Sequence, residues 1–441
     1  MTNLTIHHDR LLHELHHLAT LTDCPPTTDT TLPAPTTSVT RIVFTPRDLE
    51  ARAYIASLAT TAGFHIRTDA IGNTFIRFPG TDPSLPAVGT GSHTDAIPHA
   101  GMYDGTVGVL GGLEAMRSLK ESGFTPRRSI ELLVFTSEEP TRFGIGCIGS
   151  RLLSTTLDPT IADTLPDRLP ETDRTAPQGL TLHDVRTAAG FTEHLTTVPL
   201  PPRYYHAWVE LHIEQGPLLE TEDIPIGIVT NIAAPASYRY EVTGFGGHAG
   251  ALLMPDRRDA LCAAAELILS VERHTLAANA ASGSSNSVAT IGTVTVHPGA
   301  VNSVPSRVTL MLDIRDTDVG RRDHILAALH ADIDSIQSRR HVNITEQKIN
   351  ADVPSVSDPH ILSTLEQICT KHNIPYKKMV ARAYHDTSFI APIAPVAMLF
   401  IPCRNGVSHR PDEYATPESI ALGTRVLALA LAQLANEDYT S

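Results

Sequence analysis

Short apolar runs, separated by polar, glycine- and proline-rich stretches, divide the chain into an alternation of strand and helix patterns. Ala87 to Gly91 is a short apolar run that reads as a buried strand, and Ser129 to Ser137 reads as another apolar strand. The run carrying Glu210-Leu-His-Ile-Glu-Gln215 reads at period two, and 396–401 reads as another strand. Between these lie helical spacings. Leu4, Leu11, Leu12, Leu15 and Leu18 mark one over 4–19. Thr45 as cap and Pro46 in the first turn open a second. Others cover 106–121 and 359–372, and a last one begins at Pro417. A strand pair brackets Asp69-Ala-Ile-Gly-Asn73, and the polar stretch 155–205 holds one helix near 182–190. This alternation predicts an α/β unit with an αβα layering and a mixed sheet.

Near Thr230 the rhythm changes. Ser237–Thr243 alternates as a strand, Asp256–His274 as a helix, Ser287–His297 and Arg307–Asp316 as strands, Asp318–Arg339 as a helix and Val342–Ile349 as a strand. That β-α-β-β-α-β order is a ferredoxin-like unit. The expected organisation is therefore a catalytic domain over 1–229 and 350–441, interrupted by a lid or dimerisation domain over 230–349. Such an insertion places a substrate cleft between domains, with hinge closure.

Composition adds exclusions. A length of 441 residues favours two domains over one. A formal charge of −14 disfavours a nucleic-acid partner. The cysteines Cys24, Cys147, Cys262, Cys369 and Cys403 are dispersed, which reads as reduced thiols in a cytoplasmic protein. No signal segment opens the chain and no apolar run approaches membrane-spanning length, so no membrane association is expected.

The candidate chemistry sits at strand ends. Gly91-Ser-His-Thr-Asp95 follows the first buried run and leads to Asp104-Gly105 just before a helix. Ligands at the carboxyl ends of strands are where open α/β sheets build their sites. His93 suits a metal. Asp95 can accept its other ring N–H, and Asp104, in a tight turn, can bridge two ions. The alternative is a surface loop with a capping aspartate. Glu138 and Glu139 end the second buried run. Adjacent side chains diverge, so one can bind metal while the other faces a reacting water. With His212 and His409, the set His93, Asp104, Glu139, His212 and His409 is a mixed nitrogen and oxygen donor set suited to zinc or manganese. Gly144-Ile-Gly-Cys-Ile-Gly149 has dinucleotide-loop spacing but lacks the strand before it and the later acid, so it reads instead as backbone passing close to the metal site.

These motifs, in this order, resemble the two-metal amidohydrolases of the aminoacylase, carboxypeptidase and carbamoylase clan. His212-Ile-Glu-Gln-Gly-Pro217 resembles the carbamoylase and allantoate amidohydrolase branch. Asp95-Ala-Ile-Pro98, Phe135 to Gly144, Ala233 to Ser237 and Arg382-Ala-Tyr-His-Asp386 resemble the plant-type ureidoglycolate amidohydrolases. The resemblance implies two divalent ions per subunit, one held by His93, Asp104 and His212, the other by Asp104, Glu139 and His409. It implies that Glu138 moves the water's proton. It assigns Gln215, His248, Asn302 and Arg315 to the substrate, with Tyr384 and His385 in the same pocket, and implies a homodimer in which His248 reaches the neighbouring site. Plainer roles stand beside these: a turn histidine for His248, a turn amide for Asn302, an ion pair with Asp313 or Asp316 for Arg315, and a hydrogen bond to Asp386 for His385. The implied reaction is hydrolysis of the ureido C–N bond of ureidoglycolate, a small anionic ureide. Allantoate or an N-carbamoyl-L-amino acid is the alternative substrate, and a non-catalytic binding protein is the remote one.

Overall fold

The computed structural model describes residues 4–25, 27, 29–169 and 179–437. It comprises two compact units. One holds the residues up to Thr230, Val356–Met379 and those from His385 onward; the other holds Asn231–Ser355 and Val380–Tyr384. The inserted unit ends later than the expected 349, because its last strand, Asn343–Ala351, runs further. It also takes in the short segment 380–384.

The first unit is a mixed α/β structure. Its sheet places strands side by side in the order Ile226–Ile232, Val396–Ile401, Tyr205–Ile213, Ala87–His93, Ile130–Phe135, Thr74–Phe78, His65–Thr68. The four from Val396–Ile401 to Ile130–Phe135 run parallel, and their outer neighbours pair antiparallel. Every residue of Ala87–His93, Ile130–Phe135 and Val396–Ile401 is buried, which is why these stretches are largely apolar. The period-two reading of Tyr205–Ile213 does not hold. Lying between two parallel neighbours, it is buried at nearly every position.

Helices close the sheet. Thr106–Glu121 is buried along most of its length and shares one apolar cluster with Pro417–Asn436, through Leu110, Leu113, Val426, Leu427 and Leu431. Pro417–Asn436 corrects the expectation about apolar runs. It is long and apolar enough to cross a membrane by length and composition, yet it is largely buried inside this core. Pro46–Thr61 begins as expected, with the Thr45 side chain accepting the Asp48 N–H; such caps contribute about 1 kcal/mol. The stretch 155–205 holds more than the one helix expected: Pro159–Asp163 precedes Leu182–Ala188 among the described residues.

The inserted unit follows the order Ala234–Thr243, Ala260–Ser282, Val288–His297, Arg307–Asp316, Val319–Arg340, Asn343–Ala351, that is, β-α-β-β-α-β. Its antiparallel sheet has the order Val288–His297, Arg307–Asp316, Ala234–Thr243, Asn343–Ala351. Alternation along Arg307–Asp316 buries Val308, Leu310, Leu312 and Ile314 in a cluster with Leu267, Val271, Ile325 and Leu329 of the two helices. The first of those helices starts and ends later than the expected Asp256–His274. Asp259 caps it, after a separate turn at Met254–Asp256, and an alanine-rich tail carries it to Gly283, whose φ of 62° terminates it. His248 lies outside the sheet, in a ribbon where Gly247–His248 pairs with Ser303–Val304.

Candidate metal centre

Each of the four parallel strands delivers a polar group at or beyond its carboxyl end. Ala87–His93 ends on His93; Ile130–Phe135 is followed by Glu138 and Glu139; Tyr205–Ile213 carries His212; and Val396–Ile401 leads to His409. Asp104 comes from the loop before helix Thr106–Glu121. The chain turns sharply around these groups: Ser137, Gln215 and His409 have φ of 58°, 55° and 58°. Such left-handed backbone in non-glycine residues is costly and gathers at functional sites. At Gly105, φ is 68°, and a Cβ there would lie 2.5 Å from the His93 ring, so only glycine lets the turn pass this histidine.

Asp104 is the hub. Its Oδ1 lies 3.1 Å from His212 Nε2 and 3.7 Å from His93 Nε2. Its Oδ2 lies 3.0 Å from His409 Nε2, which is itself 3.4 Å from Glu139 Oε1. Ligand atoms of His93, Asp104 and His212 all fall within 4.8 Å of one another, as do those of Asp104, Glu139 and His409. One carboxylate thus faces two donor groups with its two oxygens.

The outward nitrogens are set by main-chain carbonyls. His93 Nδ1 lies 2.9 Å from the Asp95 carbonyl oxygen, and His212 Nδ1 lies 2.9 Å from that of Ile213. Donation there leaves each Nε2 with a lone pair toward the site. This corrects the expected role of the Asp95 carboxylate, whose Oδ1 is 3.8 Å from His93 Nδ1. It is engaged elsewhere, accepting the N–H groups of Glu139 at 3.0 Å and Glu138 at 3.4 Å. Asp95 therefore shapes the turn that presents both glutamates.

Charge crowds this space. Burial, then repulsion from Glu139, Asp104 and Asp95, pushes Glu138 up to about 8, against the pull of His93. Burial, then Asp104, raises Glu139 well above its ordinary value. Burial opposes the Asp104 carboxylate, but hydrogen bonds from His212, His409 and His93 hold it well below the usual carboxylate range. Burial lowers His93 and His212 and to a lesser degree His409, but Asp104 helps raise all three above the ordinary value, joined by Glu138 at His93 and His409 and by Glu210 at His212. Carboxylates crowded so closely that they raise one another form a site that favours added positive charge. Divalent cations among these donors would supply it, so the donor set fits two ions.

The other expected site residues fall into separate places. The Gln215 amide donates to Asp104 Oδ2 at 2.9 Å and to Ser408 Oγ at 3.2 Å. His385 is buried with its ring 4.5 Å from that of His212. Tyr384 belongs to the inserted unit, where its hydroxyl donates to Asp352 at 3.1 Å. Arg315 donates to Asp313 from Nε at 2.8 Å and Nη2 at 3.4 Å. His248 and Asn302 are neighbours, joined by Ala249 N–H to Asn302 O at 2.9 Å, and both are exposed. Within the inserted sheet, Arg315 stands opposite Pro235, whereas Arg307, at the His248 end, stands opposite Thr243. That puts roughly 27 Å of strand between Arg307 and Arg315 at a strand's rise per residue.

Several residues of the site were not singled out from sequence. Glu413, 2% exposed, accepts the N–H groups of Tyr103 at 2.8 Å and Asp104 at 3.0 Å, and the Ser408 hydroxyl at 2.7 Å. It ties the Asp104 loop to the His409 loop. Glu210, two residues before His212, accepts from Ser92 Oγ at 2.9 Å and Thr387 Oγ1 at 2.5 Å. Their burial while polar is invisible in one dimension. The only available sign was an acid beside each recognised histidine.

The model for peptidase family M20/M25/M40 matches residues 89–433. Ureidoglycolate hydrolase of Oryza sativa subsp. japonica is 48% identical over 430 residues, spanning 97% of this chain and 84% of the rice protein. N-carbamoyl-L-amino acid amidohydrolase of Geobacillus stearothermophilus is 35% identical over 402 residues, spanning 91% of this chain and 94% of that protein. The crystal structure of AtUAH in complex with glyoxylate matches with a TM-score of 0.83 at 43% identity, covering 98% of this chain and 99% of that one.

Proposed function

The chain belongs to peptidase family M20/M25/M40, and from that membership we propose that it is an amidohydrolase that cleaves the ureido C–N bond of ureidoglycolate, releasing glyoxylate, ammonia and carbon dioxide. The observation that carries the chemistry is Asp104 facing two donor groups with its two oxygens. Support for the substrate comes from the rice ureidoglycolate hydrolase and from the glyoxylate complex of AtUAH.

On this reading His93, Asp104 and His212 hold one ion, and Asp104, Glu139 and His409 hold the other. Two divalent ions there, manganese or zinc, would polarise the ureido carbonyl and acidify the attacking water. Glu138 stands beside both groups without belonging to either. It takes the water's proton and returns it to the leaving nitrogen. Arg315, its planar fork now on the half-exposed Asp313, exchanges that partner for the substrate carboxylate. His248 donates to the oxyanion, and Gln215, Asn302, Tyr384 and His385 complete the pocket. We read the inserted unit as a ferredoxin-like lid and dimerisation domain. The strand from Arg307, next to the ribbon that carries His248, to Arg315 spans more than a small ureide. That favours a homodimer whose second copy supplies His248 and Asn302.

The test is release of glyoxylate and ammonia by purified, manganese- or zinc-loaded protein given ureidoglycolate, allantoate or N-carbamoyl amino acids. Ureidoglycolate should be preferred, a chelator should abolish turnover, and added metal should restore it. Preference for either other substrate class would move the assignment to it. Full turnover by protein that elemental analysis finds metal-free would end the two-ion reading.

A further inference from the structure

The glycine-rich stretch Gly144-Ile-Gly-Cys-Ile-Gly149 binds no nucleotide in the reading above, and the structure gives it another task. It lies along the glutamate turn. Cys147 N–H donates to the Glu138 carbonyl at 2.8 Å, Ile148 N–H to Ser137 at 2.9 Å and Gly149 N–H to Thr136 at 2.9 Å. A Cβ on Gly146 would stand 2.5 Å from the Glu138 carbonyl oxygen. The approach therefore needs glycine at that position.

The residue that does not fit this pattern is Cys147. Its φ is 57°, a left-handed conformation that suits glycine and strains a side chain. Glycine stands at 144, 146 and 149, yet the strained position carries a thiol. Strain retained where a neighbouring residue type would relieve it marks a side chain with a task. The thiol is fully buried, and its Sγ lies 3.6 Å from Glu138 Oε1. The other oxygen, Oε2, lies 3.7 Å from His93 Nε2, on the ligand side. The two oxygens thus have different neighbours.

We propose that Cys147 is a positioning residue for Glu138, its thiol holding Oε1 so that Oε2 is presented to the reacting atoms. The proposal rests on Glu138 as the proton carrier. Burial, reinforced by Asp386 and Glu138, pushes the thiol well above its ordinary range, so it stays a neutral donor. A thiol is a weaker donor than a hydroxyl. It fixes the rotamer of a carboxylate without strongly favouring the anion, which suits a group that must gain and lose a proton each cycle.

The experiment is a double-mutant cycle on metal-loaded protein, with metal content and Tm recorded for each variant. Cys147→Ala and Cys147→Gly should each lower kcat roughly three- to tenfold, the scale of one hydrogen bond, with little change in KM. Glycine relieves the backbone strain, so an equal loss in both variants assigns the effect to the thiol. Cys147→Ser, which keeps a donor, should recover most of the loss. In a Glu138→Gln background, Cys147→Ala should cost nothing further. Wild-type kcat in Cys147→Ala, no recovery by serine, or an undiminished further loss in the Glu138→Gln background would each overturn the proposal. Wild-type turnover in Glu138→Gln alone would overturn the underlying assignment instead, which separates the two failures.

Discussion

The two units hold their polar residues in opposite ways. In the first, His93, Asp104, Glu139 and His212 are 3%, 7%, 5% and 1% exposed, and of the five candidate ligands only His409 is exposed. Asp104 and Glu139 are fixed by groups distant in sequence, Asp104 by His212 and His409, Glu139 by Asp95, and the Asp104 loop by Glu413, while nearby main-chain carbonyls orient the His93 and His212 rings. In the inserted unit, His248 and Asn302 are exposed, and Arg315 pairs with an aspartate two residues away on its own strand. Burying charge without compensation costs several kcal/mol, so a buried acid and histidine cluster persists only where something balances it. An exposed ion pair contributes little and constrains nothing. Burial therefore makes the first region's chemistry readable from one chain, whereas the second region acquires a role only through what it meets.

That contrast ranks the effects of substitution. The largest belongs to Glu138. Glu138→Gln keeps the shape and removes the proton carrier, so kcat should fall roughly 10²- to 10⁴-fold, with metal content unchanged. Loss of metal in this variant would make Glu138 a ligand and reverse its roles with Glu139.

Arg315 comes next. Removing one member of a charge-assisted pair with the substrate costs roughly 2–5 kcal/mol, and the half-exposed position places it at the lower end. Arg315→Ala should lower kcat/KM about thirtyfold, about what the lower figure corresponds to. Arg315→Lys keeps the charge without the fork and should recover part of it. A neutral amide analogue of the substrate should barely distinguish the variants. Equal damage to acid and amide would leave Arg315 as the partner of Asp313 and nothing more.

The smallest signal is a recovery. His248→Ala and Glu138→Gln subunits, each impaired alone, should regain a measurable fraction of activity when mixed, if His248 serves the neighbouring site. No recovery, with subunit exchange confirmed, would confine His248 to its own subunit or remove it from the reaction.

Much of this arrangement is legible in the amino-acid sequence. Ala87–His93, Ile130–Phe135 and Val396–Ile401 are legible as largely apolar strands because both of their faces are covered, Tyr205–Ile213 reads misleadingly as alternating, and His93, Glu139, His212 and His409 stand at the ends of these strands or in the loops that follow. The strands Ile226–Ile232 and Ala96–Ala100 passed unnoticed. Ala96–Ala100 is only partly buried and contains Pro98, so its pattern competes with that of a loop. Glu413 was illegible for another reason. The meaning of Glu413 depends on amides at Tyr103 and Asp104, about 310 residues earlier. No local pattern encodes a partner at that distance. Asp95 was placed beside His93 by proximity in sequence, but the chain turns after the strand, so the carbonyl meets the ring and the carboxylate meets the glutamates.

The central claim is that Asp104 is shared by two ion sites, and counting metal tests it directly. Wild type, His93→Ala, His409→Ala and Asp104→Ala would be loaded, dialysed and analysed for bound metal, with circular dichroism confirming that each is folded. Each histidine variant should lose chiefly one of two ions, because each histidine faces only one of Asp104's oxygens. Asp104→Ala should lose both. Wild-type metal content in folded Asp104→Ala would contradict the shared-carboxylate site and the reaction built on it.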